Sequence, residues 1–150
     1  MRLWLPIVLC AAFAGCDDSP KPLVKSGAKG EPKKVRVLHV LVAFQGAKNA
    51  APNVTRTHDE AEVLASGILG RARRGEDFKK LIKDYSSDKG EGNYIVVNHG
   101  FPARGGEQRR GDLAKSFSNM AFSLDVGEIG LAPYHSLDSP FGFHVIKRIE

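Results

Sequence analysis

Two β-branched apolar runs, far apart in the chain, each carry a histidine, and this limits what the chain can fold into. Val35-Arg36-Val37-Leu38-His39-Val40-Leu41-Val42 and Phe141-Gly142-Phe143-His144-Val145-Ile146 both read as sheet strands. An imidazole inside such a run must be hydrogen-bonded if it is to be buried without penalty. If the two strands pair, both rings lie in one sheet and form a buried polar site. A fold that suits this chain sets its first and last long strands side by side.

The residues between supply the remaining elements. A loop from Gln45 to Arg56 follows the first strand. Thr57-His58-Asp59-Glu60 has the form of a capping box, with Thr57 as the helix cap and Glu60 reaching back. Ala61, Leu64, Ala65, Ile68 and Ala72 then recur at helical spacing, Arg71, Arg73 and Arg74 load the last turn, and Gly75 suits the C′ position. Phe78, Leu81, Ile82 and Tyr85 mark one face of a second helix, which Ser86-Ser87-Asp88-Lys89-Gly90 ends. Tyr94-Ile95-Val96-Val97 reads as a short strand, and the glycine-rich stretch from His99 to Gly111, with Arg104, Arg109 and Arg110, as an exposed, solvated loop. Leu113, Phe117, Met120 and Ala121 suggest a short helix, Asp125 to Glu128 a turn, and Ile129 to Tyr134 and Phe141 to Ile149 two closing strands. This order predicts an α+β fold, an antiparallel sheet with helices packed on it.

The first residues stand apart. Met1-Arg2 is a short positive start, and Leu3 to Phe13 an apolar stretch too short to span a membrane. Phe13-Ala14-Gly15-Cys16 resembles a bacterial lipobox, so residues 1–15 are expected to be a signal peptide and Cys16 a lipidated N-terminus. Residues 16–33, with Pro20, Pro22, Gly27, Gly30, Pro32 and several lysines, read as a flexible tether, and residues 34–150 as the folded domain. Loss of residues 1–15 removes Arg2 and Cys10, lowers the formal charge of +5 by one, and leaves Cys16 as the one sulfur nucleophile. The domain then has no disulfide, catalytic thiol or thiolate metal site. Its modest positive charge forms no nucleic-acid stripe. The expected location is extracytoplasmic, at a bacterial membrane through the lipid; whether inner or outer stays open.

The order and segments resemble the parvulin family of peptidyl-prolyl isomerases over residues 34–150. Leu38-His39-Val40-Leu41-Val42 is similar to the family's opening strand. Glu60-Ala61-Glu62, Gly75-Glu76-Asp77-Phe78 and Tyr85-Ser86 are similar to its two-helix stretch. Phe117, Ala121, Phe122, Leu124 and Gly127-Glu128 match its last helix and turn, and Phe141 to Ile146 its closing strand. The resemblance implies a small antiparallel sheet of about four strands surrounded by three to four helices. It puts His39 and His144 on the family's paired core histidines, Asp88 where the family has Cys or Asp, and Ser139 where it usually has Thr. It makes Phe117, Leu113 and Tyr94 the wall of a proline pocket. One departure stands out: Gly90-Glu91-Gly92-Asn93-Tyr94-Ile95 replaces the family's Gly-Gly-Asp-Leu-Gly, and an insertion is expected near residues 98–111.

The implied chemistry is rotation about an X-Pro bond, whose barrier of ~18–20 kcal/mol comes from amide resonance. Such a catalyst needs no metal, cofactor or nucleophile, only tighter binding of the twisted amide than of either planar form. Phe117 and Leu113 suit a grip on the ring, and His39, His144, Ser139 and Asp88 are expected to form a hydrogen-bonded network beside it. The expected partners are proline-containing segments of unfolded or exported proteins. Other readings remain for the same residues. The histidines can be a structural pair, Asp88 a turn residue, Phe117 and Leu113 plain core, and the domain a non-catalytic peptide-binding chaperone module. Zinc is disfavoured by the lack of HxH, HExxH or Cys partners, and a hydrolase triad by the lack of a nucleophile elbow. Phosphate selection is not expected, since the loop after the first strand holds only Lys48 and Arg56.

Overall fold

A computed structural model describes residues 30–150. The expected signal peptide, Cys16 and most of the tether lie outside the described residues. In chain order the elements are β1 (Lys34–Val42), α1 (His58–Arg73), α2 (Phe78–Tyr85), β2 (Asn93–Val97), β3 (Glu107–Arg109), a 3-10 turn (Arg110–Asp112), α3 (Lys115–Ser123), β4 (Ile129–Ala132) and β5 (Phe143–Arg148). No helix among the described residues is long and apolar enough to cross a membrane.

The strands form one sheet in the order β3-β2-β1-β5-β4, so the first and last long strands are adjacent at its centre. β1 runs antiparallel to both neighbours: Lys34 to Leu38 pair with β2, and Val37 to Val42 pair with β5. Strand alternation sends β1 side chains to opposite faces. Leu38, Val40, Val42 and Phe44 join Ala61, Ala65, Ile68, Phe78 and Leu81 under α1 and α2. Val35 and Val37 join Val96, Phe117, Met120, Ala121 and Ile146 under α3. The sheet is therefore the middle of three layers. A side chain such as Ile68 or Leu81, fully buried here, contributes ~1.5–3 kcal/mol of transfer free energy.

The helix signals act as read. Thr57 Oγ1 accepts from the Glu60 N–H (3.2 Å) and the Glu60 carboxylate accepts from the Thr57 N–H (2.7 Å), which completes the capping box. The Arg71 guanidinium donates two 2.6 Å bonds to Glu76 and one of 2.7 Å to the Tyr85 hydroxyl, and so joins the end of α1 to the end of α2.

The sheet has a fifth strand that the antiparallel expectation lacks. β3 lies parallel to β2, Ile95 opposite Glu107, after a loop that turns through Gly100 and Gly106, both at φ 83°. The stretch expected to be solvated is also partly buried. Arg110 is 2% exposed; its guanidinium bonds to Glu31 (2.6 Å), Asn98 (2.9 Å) and Asn119 (3.1 Å) and lies over the Phe122 ring. Arg104 and Arg109 are exposed, as expected. Glu31 and Lys33, read as tether, are thus fastened to the domain, with the Asn98 N–H also donating to the Lys33 carbonyl at 2.9 Å. The reason is local: an arginine enclosed by β2, α3 and Phe122 needs a carboxylate, and residue 31 supplies it.

Candidate active site

The site grows from the sheet face under α3. His39 on β1 is opposite Ile146, and His144 on β5 is opposite Leu41, which makes the two histidines diagonal neighbours on one face. Tyr94 on β2 is opposite Val37 and so flanks His39 from the other side. Phe117 comes down from α3 and meets His39 and His144 edge-on, at 5.2 Å and 5.3 Å between ring centres. Tyr94 stands 5.0 Å from His39 and 6.0 Å from Phe117 in similar T-shaped contacts.

Asp88 arrives by a different route. β2 ends its pairing before β1 does, and the loop after α2 satisfies the exposed edge of β1. The Ser87 N–H donates to the Leu41 carbonyl (2.7 Å) and the His39 N–H to the Gly92 carbonyl (2.7 Å). The Ser86 and Ser87 hydroxyls accept from the Leu41 and Ala43 N–H groups, both at 3.2 Å. Gly92 has φ 63°, and a Cβ there would lie 2.5 Å from the His39 carbonyl oxygen, so only glycine permits this approach. Docked so, the loop sets the Asp88 carboxylate 3.1 Å from His39 Nε2 and 3.0 Å from the Tyr94 hydroxyl.

A cavity of about 470 Å³ opens beside these groups. His39, Asp88, Tyr94, Leu113, Phe117 and His144 line it, along with Lys48, Asn49 and Phe141. Its size falls in the range of small-ligand and peptide-residue sites. Leu113 lies in an extended segment just before α3 rather than one helical turn before Phe117, yet it still faces the same cavity. Lys48, with its ammonium 5.4 Å over the Phe141 ring, was legible only as a loop cation, and Phe141 only as the start of the closing strand. Nothing in their spacing marks them as pocket residues.

Ser139 is placed otherwise than expected. It is fully buried, but its hydroxyl donates to the Gly142 carbonyl (3.2 Å), and it does not line the cavity. The turn into β5 takes up its hydrogen bond, so it braces the approach to His144 and is not part of the network. That network is His144–His39–Asp88–Tyr94. Its weakest member is the 3.5 Å contact between the two Nδ1 atoms, at the outer limit for a hydrogen bond. His144 Nε2 is buried without a hydrogen-bond partner among the described residues.

The electrostatics follow from these contacts. The Asp88 carboxylate accepts from His39, from the Gly90 N–H and from Tyr94, and these bonds hold it well below the usual carboxylate range against the opposing cost of burial. It is a fixed anion, and since a carboxylate only accepts, His39 Nε2 is the donor in their bond. Burial, helped by repulsion from His39, pushes His144 down to about 3. Unfolded, that ring would take up a proton near its ordinary 6.5. Between these values the unfolded chain binds the extra proton, so stability rises with pH and falls on acidification, by up to about 1.4 kcal/mol per pH unit. Asp88, with its depressed value, adds a loss of the same sign below its ordinary 3.8. Denaturant midpoints measured from pH 7 to pH 5 should fall, and His144→Gln should flatten that slope; an unchanged slope would contradict the buried neutral ring.

Among the described residues, His58, Asp59 and Glu62 form a group with metal-ligand spacing, their ligand atoms within 4.8 Å of one another. All three are exposed at the start of α1, and none lines the cavity.

Comparison with known proteins agrees with this geometry. The family described as the PPIC-type PPIase domain matches residues 22–150. The chaperone SurA of Chromohalobacter salexigens is 33% identical over 128 residues, covering 81% of this chain and 24% of its own length. Foldase protein PrsA 1 of Lactobacillus johnsonii is 33% identical over 105 residues, covering 69% of this chain and 33% of its own. The chain thus spans about a quarter to a third of the length of these curated relatives. In fold it is similar to the peptidyl-prolyl isomerase ESS1 of Candida albicans, with a TM-score of 0.58 at 23% identity over 79% of this chain and 63% of that one. The sheet order, the paired histidines under α3 and the match across nearly all described residues lead to one assignment: the chain belongs to the PPIC-type family of peptidyl-prolyl cis-trans isomerases, the parvulins.

Proposed function

We propose that this domain isomerises X-Pro bonds in segments of exported proteins and so assists their folding outside the cytoplasm, held at a membrane by a lipid on Cys16. The observation that carries the catalytic reading is the cavity itself, where an apolar wall of Phe117, Leu113 and the Tyr94 ring faces a fixed carboxylate at Asp88. The apolar wall holds the prolyl ring. In the planar amide the carbonyl oxygen carries resonance charge; on twisting, that charge returns to nitrogen. An anion beside the carbonyl therefore raises the planar forms relative to the twisted one, which is differential binding of the transition state. His39 donates to Asp88 and His144 backs His39, so the pair organises the site. The exported location rests on the positive start, apolar stretch and lipobox-like Phe13-Ala14-Gly15-Cys16.

A second reading is a peptide-binding chaperone module without turnover. It is favoured by one observation, the altered segment Gly90-Glu91-Gly92-Asn93-Tyr94-Ile95, which stands where the resembling family has Gly-Gly-Asp-Leu-Gly. Exchange spectroscopy on an unphosphorylated X-Pro peptide separates the two. The full chain should accelerate cis–trans exchange, and phosphate before the proline should not increase the rate. Peptide binding with no acceleration would favour the chaperone module.

A further inference from the structure

Three donors converge on the Asp88 carboxylate, and one of them is particular to this chain's altered segment. His39 Nε2–H on β1 and the Tyr94 hydroxyl on β2 both donate to Oδ2, at 3.1 Å and 3.0 Å, while the Gly90 N–H reaches Oδ1 at 3.3 Å. Tyr94 is itself held in place. Its backbone is in the β1–β2 ladder opposite Val37, and its ring is packed edge-on against His39 and Phe117. The phenol therefore offers the carboxylate a donor at a position set by the sheet. Asp88, by contrast, sits in a loop whose next residues, Lys89, Gly90 and Glu91, are exposed.

We propose that Tyr94 is a positioning residue of the isomerase site, whose hydroxyl pins the Asp88 carboxylate between β1 and β2 and so fixes where the site's negative charge meets the prolyl amide. This rests on the isomerase reading above. Burial and the bond to Asp88 raise the Tyr94 phenol to about 12, so it stays a donor across the working pH range. The leucine of the resembling family would give the pocket its wall without this bond. Here one side chain does both: the ring lines the cavity and the hydroxyl orients the anion.

The other charged and titratable groups that share the cavity with Asp88 are His39 from β1, His144 from β5, Lys48 from the loop after β1 and Lys89 from its own loop. Tyr94→Phe leaves all of them, and the ring, in place. Its test has two readouts on the full chain. In a carbon-detected NMR titration of the Asp88 carboxyl, Tyr94→Phe should raise the midpoint, since one bond to the ionised form is lost. In the exchange assay it should lower kcat about fivefold with KM within about twofold, because the apolar grip is kept. Added to Asp88→Asn, the same change should alter kcat by less than about twofold, as two members of one interaction are not additive. An unmoved Asp88 midpoint, or a full fivefold loss in the Asp88→Asn background, would overturn the proposal. If the unaltered chain fails to isomerise any peptide, the isomerase reading falls, while the titration still decides whether Tyr94 holds Asp88.

Discussion

Asp88→Asn should slow X-Pro isomerisation by about 100-fold while the domain stays folded, the size of effect seen when one preorganised electrostatic contact to a transition state is removed. The substitution is nearly isosteric, and its amide oxygen can still accept from His39 Nε2–H and the Tyr94 hydroxyl, so the buried donors keep a partner. What is lost is the charge, together with the bond from the Gly90 N–H to the other carboxylate oxygen. In the unaltered chain that charge is present at all ordinary pH values, because its hydrogen bonds hold the carboxyl well below the usual range. Exchange rates of an unphosphorylated peptide, read beside a thermal melt, check this. Activity within twofold of the unaltered chain would mean that the pocket wall alone carries catalysis. Phe117→Ala is a weaker probe of the same site. Phe117 is 4% exposed and packs with Val35, Val37 and Met120, so its removal also costs ~3–5 kcal/mol of core packing.

Glu31→Gln or Arg110→Ala should each destabilise the domain by about 3–5 kcal/mol, as expected when one partner of a buried ion pair is removed. The Arg110 side chain is 1% exposed and that of Glu31 9%, at 2.6 Å. Asn98, Asn119 and the Phe122 ring, which also contact the arginine among the described residues, carry no charge to balance it. A chain shortened to 34–150 should lose as much, since it keeps Arg110 and discards its carboxylate. Urea unfolding of the three variants against the full chain measures this. A shortened chain as stable as the full one would show that the segment before β1 is dispensable, and Arg110→Met, which replaces the cation by an apolar chain of similar length, should recover part of the loss. On the expected outcome the stable unit begins before Lys34, at residues whose sequence reads as tether.

The helices and the central strand pair were legible because their signals are local. The Thr57–Glu60 capping box, Gly75 at φ 93° and the apolar spacing from Ala61 to Ala72 each involve residues within a few positions of one another. The histidine pair was legible because two long apolar strands, each interrupted by one imidazole, have few ways to bury that ring except together. Leu113, Phe117 and Asp88 reached the cavity as the family resemblance implied. Ser139 did not, since a hydroxyl takes the nearest acceptor, and the turn to Gly142 offers one.

What the amino-acid sequence by itself determined is the three helices, four of the five strands, their order and the identity of the central strands, because hydrophobic period and capping act over one or two turns of chain. Three features were decided only by the tertiary structure: the parallel fifth strand, the burial of Arg110 against Glu31, and the bond from the Tyr94 hydroxyl to Asp88. Each joins residues that are distant in sequence or set by an irregular loop, and no periodicity spans such a gap. Charge pairing and hydrogen bonding choose their partners by position in space, and that position exists only once the sheet has formed.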